Sequence, residues 1–195
     1  MELILSEEQQ QIAESADVFL AKASAMSAVR ATSQGSDGLD LKLWQGIAEL
    51  GWCGVSVPES LGGLDLGQVE RVLLQEQLGR RLACVPFFDS AVLAASALCL
   101  ASASPVAREW LQRVSSGEAI MALALPEVPQ ALSPASNVSK TPSPLARSFA
   151  GDRPGWILDG EWPQVGSAAM AHGLLLPAQT ESGEAVLLAV PADTL

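Results

Sequence analysis

The chain has 195 residues, 49% of them hydrophobic and 17% charged, and its 22 acidic against 11 basic side chains give a net charge of −11. This length fits one large domain or two small ones, and the composition excludes a disordered or fibrous protein. Binding to nucleic acid or to an anionic membrane needs clustered cations, so we expect neither partner.

Cysteine usage and the N-terminus favour a cytoplasmic protein. The chain has three cysteines, an odd number, and no CxxC motif: Cys53, Cys84 and Cys99. We therefore expect small core residues, and no disulfide framework or metal site. The first residues lack the basic and apolar regions of a signal peptide, and the longest apolar run, 91–101, is too short to span a membrane.

Helix signals dominate the first 118 residues. Ser6 followed by Gln9 is a capping-box pattern ahead of a first helix. Asp40 is placed to cap a second helix, which Gly51 ends. Apolar residues at helical spacing predict three further helices, over residues 67–82, 87–101 and 105–115.

A segment rich in turn residues separates the second and third of these helices. Residues 52–57 are predicted to be a short extended piece, and residues 58–63 a loop. The Gly62-Gly63 pair lacks the GxGxxG spacing of a phosphate-binding loop, and a sharp turn accounts for it adequately.

Beyond residue 118 the pattern changes to short strands, predicted at residues 119–125, 156–158, 173–178 and 185–190. Six prolines from Pro126 to Pro154 predict a long loop between the first two. Four short strands cannot close a barrel. We predict an α+β protein, with an N-terminal all-α helical domain (residues 1–118) followed by a partial antiparallel β-barrel domain (residues 119–195).

Few side chains indicate chemistry by their type and spacing. His172 is the one histidine, and it is predicted to be a structural residue at the start of a strand, because no nucleophile or orienting carboxylate lies near it in sequence. Glu76 falls on the helix face of Val69 and Val72. It is either a partly buried acid with a raised pKa or, as we prefer, the partner of Arg80 in an ion pair.

Several motifs together resemble the N-terminal domain of the acyl-CoA dehydrogenase family, and the resemblance covers nearly the whole chain. They are the helix ending in Leu50-Gly51-Trp52, the Val57-Pro58-Glu59 turn, the Gly62-Gly63 loop and the Gln75-Glu76-Gln77-Leu78-Gly79-Arg80 helix. The stretches 156–160 and 188–193 are similar to strands of the family's middle β domain.

The resemblance implies a fold, a cofactor and a reaction. Family members have an N-terminal α domain, a middle β domain and a C-terminal four-helix domain, and they bind FAD non-covalently. A base removes the α proton of an acyl-CoA thioester while the flavin takes the β hydride. The family's catalytic Glu belongs to the C-terminal domain, which we expect this chain to lack, so no catalytic residue is assigned. We expect a chain that is inactive alone and forms a homo- or hetero-oligomer.

The resemblance also implies where FAD would be held. Six residues are the candidate FAD contacts: Leu125, Pro126, Glu127, Trp162, Gln164 and Val165. The family's Thr-Glu-Pro stretch aligns with residues 126–128, so Pro126 replaces a hydroxyl donor. The Lys-x-Trp-Ile-Thr strand that stacks on the flavin aligns with residues 162–166, so the aromatic is either lost at Gln164 or displaced to Trp162.

Two other functions remain open at this point. The altered flavin contacts favour a non-catalytic partner subunit, which would pair with a full-length dehydrogenase and shape its acyl-CoA pocket without holding flavin. A helical interaction module with no ligand is the third possibility.

Overall fold

The computed structural model describes residues 4–35, 38–125, 144–149, 155–163 and 165–194. The helices are α1 (Glu7–Ala23), α2 (Met26–Ser33), α3 (Leu41–Glu49), α4 (Gln68–Arg80), α5 (Ala95–Leu100) and α6 (Pro105–Ser115). A π-helical segment, Phe87–Ala94, runs directly into α5. The strands are β1 (Met121–Leu123), β2 (Leu145–Phe149), β3 (Gly155–Asp159), β4 (Gly173–Thr180) and β5 (Ala185–Pro191).

The predicted helix termini are confirmed. The Ser6 hydroxyl accepts a hydrogen bond from the Gln9 amide while the Gln9 side chain accepts one from the Ser6 amide, which completes the capping box at α1. The Asp40 carboxylate accepts from the Leu43 amide at 3.0 Å and caps α3. Gly51 ends that helix in the left-handed conformation, with a φ of 74°.

Two local predictions in the helical part are wrong. Residues 52–57 are not extended, because Trp52–Gly54 forms a 3-10 turn in which the Val55 amide donates to the Trp52 carbonyl at 3.1 Å. The apolar spacing there reflects burial of the turn against the helices. Helix α2 was not predicted, and no side chain caps its N-terminus.

The sheet is organised around β4. Strand β5 pairs antiparallel with β4 along residues 173–179. The opposite edge of β4 is shared by two parallel strands, β1 at residues 173–175 and β2 at residues 179–180. Strand β3 pairs antiparallel with β2.

The predicted purely antiparallel pairing is therefore wrong, because the sheet is mixed. As predicted for a partial barrel, the sheet does not close on itself across the residues that the structure describes. Long connections allow β1 and β2 to run parallel to β4, whereas the short connection between β4 and β5 gives an antiparallel pair. Strand β2 lies inside the predicted loop 126–154. Pro144 precedes this strand and does not interrupt it.

The helices and the sheet share a hydrophobic core. One buried cluster joins α1, α3 and α4 to Phe87 and Ile120. A second cluster packs Leu98 and Leu111 of α5 and α6 against Met121 and Leu175 of β1 and β4. Each cluster thus contains residues from both sides of the change from helix to strand near residue 118.

The cysteines are free thiols, as predicted. Cys53 is fully buried in the first cluster, and burial raises the pKa of its thiol to about 12, so this thiol stays neutral and unreactive. Cys84 and Cys99 are half-buried. Across the described part of the chain, no helix has the length and hydropathy needed to span a membrane.

The Gly62-Gly63 turn is closed by its own backbone. The Gly62 amide donates to the Glu59 carbonyl at 3.0 Å, and the Gly63 amide donates to the Pro58 carbonyl at 3.1 Å. Both donors are therefore engaged within the turn and do not form a phosphate-binding loop. A Cβ atom at Gly63 would overlap the carbonyl oxygen of Val57.

We predict that Gly63→Ala destabilises the protein by about 3 kcal/mol or more, because the added methyl group meets backbone that cannot move aside. Gly62→Ala is the matched control: its position is open, and only its φ of 88° opposes a side chain, at a cost of about 1–2 kcal/mol. Urea unfolding of both variants measures the difference. Equal losses would contradict the packing role of Gly63.

Candidate functional site

The structure describes three of the six candidate FAD contacts. Leu125 follows β1 and is 54% exposed. Trp162 and Val165 are half-buried and lie in the segment between β3 and β4. The other three candidates fall outside the described residues: Pro126, Glu127 and Gln164.

Strand β4 brings the two predicted stretches to one edge of the sheet. The Ala124 amide, next to Leu125, donates to the Leu175 carbonyl at 2.9 Å. The Trp162 indole Nε1 donates to the Pro177 carbonyl at 3.0 Å. Since the two acceptors are two residues apart on β4, the stretches predicted from the resemblance occupy neighbouring positions along this edge.

Trp162 fills a gap in the sheet. Pro177 lies between the part of β4 that pairs with β1 and the part that pairs with β2, and it has no amide hydrogen to donate. Its carbonyl would lack a strand partner there, and the indole N–H of Trp162 supplies one. This arrangement explains how a proline is tolerated in the middle of a strand that is paired on both edges.

The start of the sheet is held by two side chains from other elements. The Ile120 amide donates to Nδ1 of His172 at 3.0 Å, and the Met121 amide donates to the Ser90 hydroxyl oxygen at 3.1 Å. Because Nδ1 is an acceptor, the neutral His172 ring carries its proton on Nε2. The predicted structural role of His172 is confirmed.

A contact that sequence reasoning missed joins the π-helical segment to the loop before β4. The Ser167 hydroxyl donates to the Asp89 carboxylate, and a Cβ atom at Gly166 would lie 2.5 Å from Oδ1 of Asp89. Asp89 and Ser167 are 78 residues apart in the chain and belong to no recognisable motif. No signal in the sequence could have paired them.

Neither interpretation of Glu76 holds in the structure. Val69 and Val72 are 45% and 63% exposed, so this face of α4 points to solvent and Glu76 is exposed with it. The ion pairs among the described residues are Asp17–Arg81, Arg113–Glu118 and Arg147–Glu181, and none joins Glu76 to Arg80. Elsewhere on α4, a 2.8 Å hydrogen bond from the Gln9 side chain lowers the pKa of Glu70.

A cleft near the start of the sheet includes Ile120 and His172 in its lining. Its volume is about 960 Å³, and it opens between α3 and the segment that precedes β4. Trp44, Ile120 and Met170 contribute apolar walls, while Glu49 and Glu118 add carboxylates. The described residues contain no group of three or more potential ligands that could hold a metal ion.

Polar groups next to the implied flavin contact are engaged within the protein. The indole N–H of Trp162 is engaged by β4, and the hydroxyl of Ser167 is engaged by Asp89. The backbone of Gly166 lies directly against a carboxylate. These polar groups are paired within the protein.

Helices pack on a mixed sheet through buried clusters, and comparison with known proteins gives the family. The family model for "Acyl-CoA dehydrogenase, N-terminal domain" matches residues 6–118. The chain is 34% identical to acyl-CoA dehydrogenase FadE27 of Mycobacterium tuberculosis over 154 residues, which is 79% of this chain and 38% of that protein. The chain belongs to the acyl-CoA dehydrogenase family.

Solved structures agree with this assignment. The ChsE4-ChsE5 complex from Mycobacterium tuberculosis matches with a TM-score of 0.79 and 30% identity, covering 98% of this chain and 49% of the matched chain. A variant of the Tcur3481-Tcur3483 steroid ACAD matches with a TM-score of 0.77 and 29% identity, covering 96% and 48%. The chain thus spans about half the length of these relatives or less.

We predict that Trp162→Phe lowers the free energy of unfolding by about 1 kcal/mol, because it removes the donor to the Pro177 carbonyl and keeps most of the ring. Trp156→Phe is the control, since Trp156 is 45% exposed on β3, and we expect a change within about 0.5 kcal/mol. Chemical unfolding monitors both variants. A neutral Trp162→Phe substitution would show that the indole does not support β4.

Proposed function

We propose that this chain forms one part of an acyl-CoA dehydrogenase assembly and does not oxidise acyl-CoA by itself. The proposed activity of the assembly is the α,β-oxidation of an acyl-CoA thioester with FAD. The family match over residues 6–118 carries this proposal. The matched family model describes the N-terminal domain, whereas the resemblance assigns the catalytic Glu to the C-terminal helical domain.

In such an assembly this chain would contribute one wall of the site. The end of β1 and the segment before β4 lie side by side on the β4 edge, so they present a continuous surface. Leu125 is exposed there, and Phe88 in the adjacent π-helical segment is 50% exposed. Exposed apolar side chains of this kind suit an acyl chain or an apolar partner surface.

A visible absorbance scan and an activity assay test the proposal. We expect the purified chain to be colourless and to give no turnover with an acyl-CoA thioester and an artificial electron acceptor, because the proposal assigns the base and the flavin to another part of the assembly. A full-length acyl-CoA dehydrogenase is the positive control. A yellow chain that turns over acyl-CoA would contradict the proposal.

A more specific candidate is a non-catalytic subunit of a heteromeric dehydrogenase. The bond from Ser167 to Asp89 favours it, because this hydroxyl is not available to a flavin. It is also supported by the two solved structures reported above, each of which is named for two components. Because one of them is a steroid ACAD, we extend the proposal to a steroid acyl-CoA as the substrate. We also propose that the assembly is located in the cytoplasm.

Co-expression with a full-length family member tests the subunit role. We expect the two chains to elute together as a yellow complex whose flavin stays with the longer chain after separation. An unrelated acidic protein of similar size serves as the control for non-specific association. A chain that stays separate from such partners, and shows no thermal shift with CoA thioesters or FAD, would instead support an interaction module without a ligand.

A further inference from the structure

The loop before β4 is held in place by a carboxylate from the π-helical segment. The Ser167 hydroxyl donates to Asp89, and the carboxylate lies against the backbone of Gly166. Asp89 is half-buried. Its contact with Ser167 joins the π-helical segment to the loop that precedes β4. A hydrogen bond to a charged acceptor is stronger than a neutral one.

The contact fixes an unusual backbone conformation. Ser167 has a φ of 56°, which places a residue with a side chain in the left-handed region. Such a conformation persists only where surrounding contacts determine it. Two contacts do so here, the bond from the Ser167 side chain to Asp89 and the bond from the Met170 amide to the Ser167 carbonyl at 3.2 Å.

The residue after Asp89 fixes the other stretch of the candidate site. Ser90 is fully buried, and its hydroxyl oxygen accepts a hydrogen bond from the Met121 amide of β1. Two consecutive residues of the π-helical segment therefore hold the loop before β4 and the start of β1. Breaks in regular α-helical geometry often occur at functional sites.

The charge at this position matters for a flavin. FAD carries a negatively charged diphosphate, and reduction adds electron density to its ring. A flavin held by residues 166–167 would meet the Asp89 carboxylate, whose negative charge would disfavour both. Across the described residues, the ion pairs lie elsewhere, so no cation within ion-pair distance neutralises Asp89.

We propose that Asp89 is a positioning residue that takes the place of a cofactor in this chain: its carboxylate orders the loop at residues 165–167 in the absence of FAD and closes that loop to a flavin. The inference rests on the proposed function in its form as a non-catalytic subunit. In this proposal Asp89 and Ser167 order a loop that, by the resemblance, would lie against the flavin.

Hydrogen exchange of the whole chain, with and without added FAD, tests the proposal. In Asp89→Ala and Ser167→Ala we expect the amides of residues 165–172 to exchange about fivefold faster, the effect of losing one hydrogen bond. Asp89→Asn keeps an acceptor for Ser167, so its exchange should stay within about twofold of the original rate. Asp17→Asn, which removes a carboxylate bonded to Arg81 on α1, is the matched control and should leave the loop unchanged.

The outcomes distinguish a failure of the proposed role of Asp89 from a failure of the proposed function. We expect added FAD to leave the exchange of the loop amides unchanged in the original chain. Unchanged exchange in both Asp89→Ala and Ser167→Ala would overturn the role of Asp89, even if the chain still elutes with a partner. Protection of the loop by FAD in the original chain would overturn the closure to flavin and the non-catalytic subunit together. Ser167→Ala keeps the carboxylate and the fold, so it decides the matter should Asp89→Ala not fold.

Discussion

Strand β4 is the element on which the rest of the sheet depends, because the hydrogen-bonding groups along both of its edges must find partners. One edge is satisfied by β5 alone. The other edge is satisfied in three ways, by β1, by the indole of Trp162 at Pro177, and by β2. A carbonyl without a partner is costly, and Trp162 supplies the partner at Pro177, where neither β1 nor β2 is paired with β4.

The same requirement explains how the helical part is attached to the sheet. The amides at the start of β1 are satisfied by side chains, Ile120 by His172 and Met121 by Ser90. Ser90 belongs to the π-helical segment, whose neighbouring residue Asp89 binds the loop before β4. These polar contacts therefore fix how the π-helical segment is oriented relative to the sheet. The apolar clusters on both sides supply most of the stability of this contact.

These contacts bear on the relation between family and function. Membership in the acyl-CoA dehydrogenase family is established by the match over residues 6–118, yet a fold does not by itself determine the chemistry. In the part of the candidate site that the structure describes, side chains such as Trp162 and Ser167 are bonded within the protein. Such an arrangement suits a subunit that completes a site together with another chain.

The sequence by itself determined the local structure and the family. Capping residues such as Ser6 and Asp40, and stop residues such as Gly51, act on their immediate neighbours, so their effect can be predicted from spacing alone. The family motifs are likewise contiguous. Only the tertiary structure decided the mixed pairing of the sheet, the hydrogen bond from Trp162 to β4 and the contact between Asp89 and Ser167. Each of these joins separate segments of the chain, and whether the segments meet depends on the packing of the whole core.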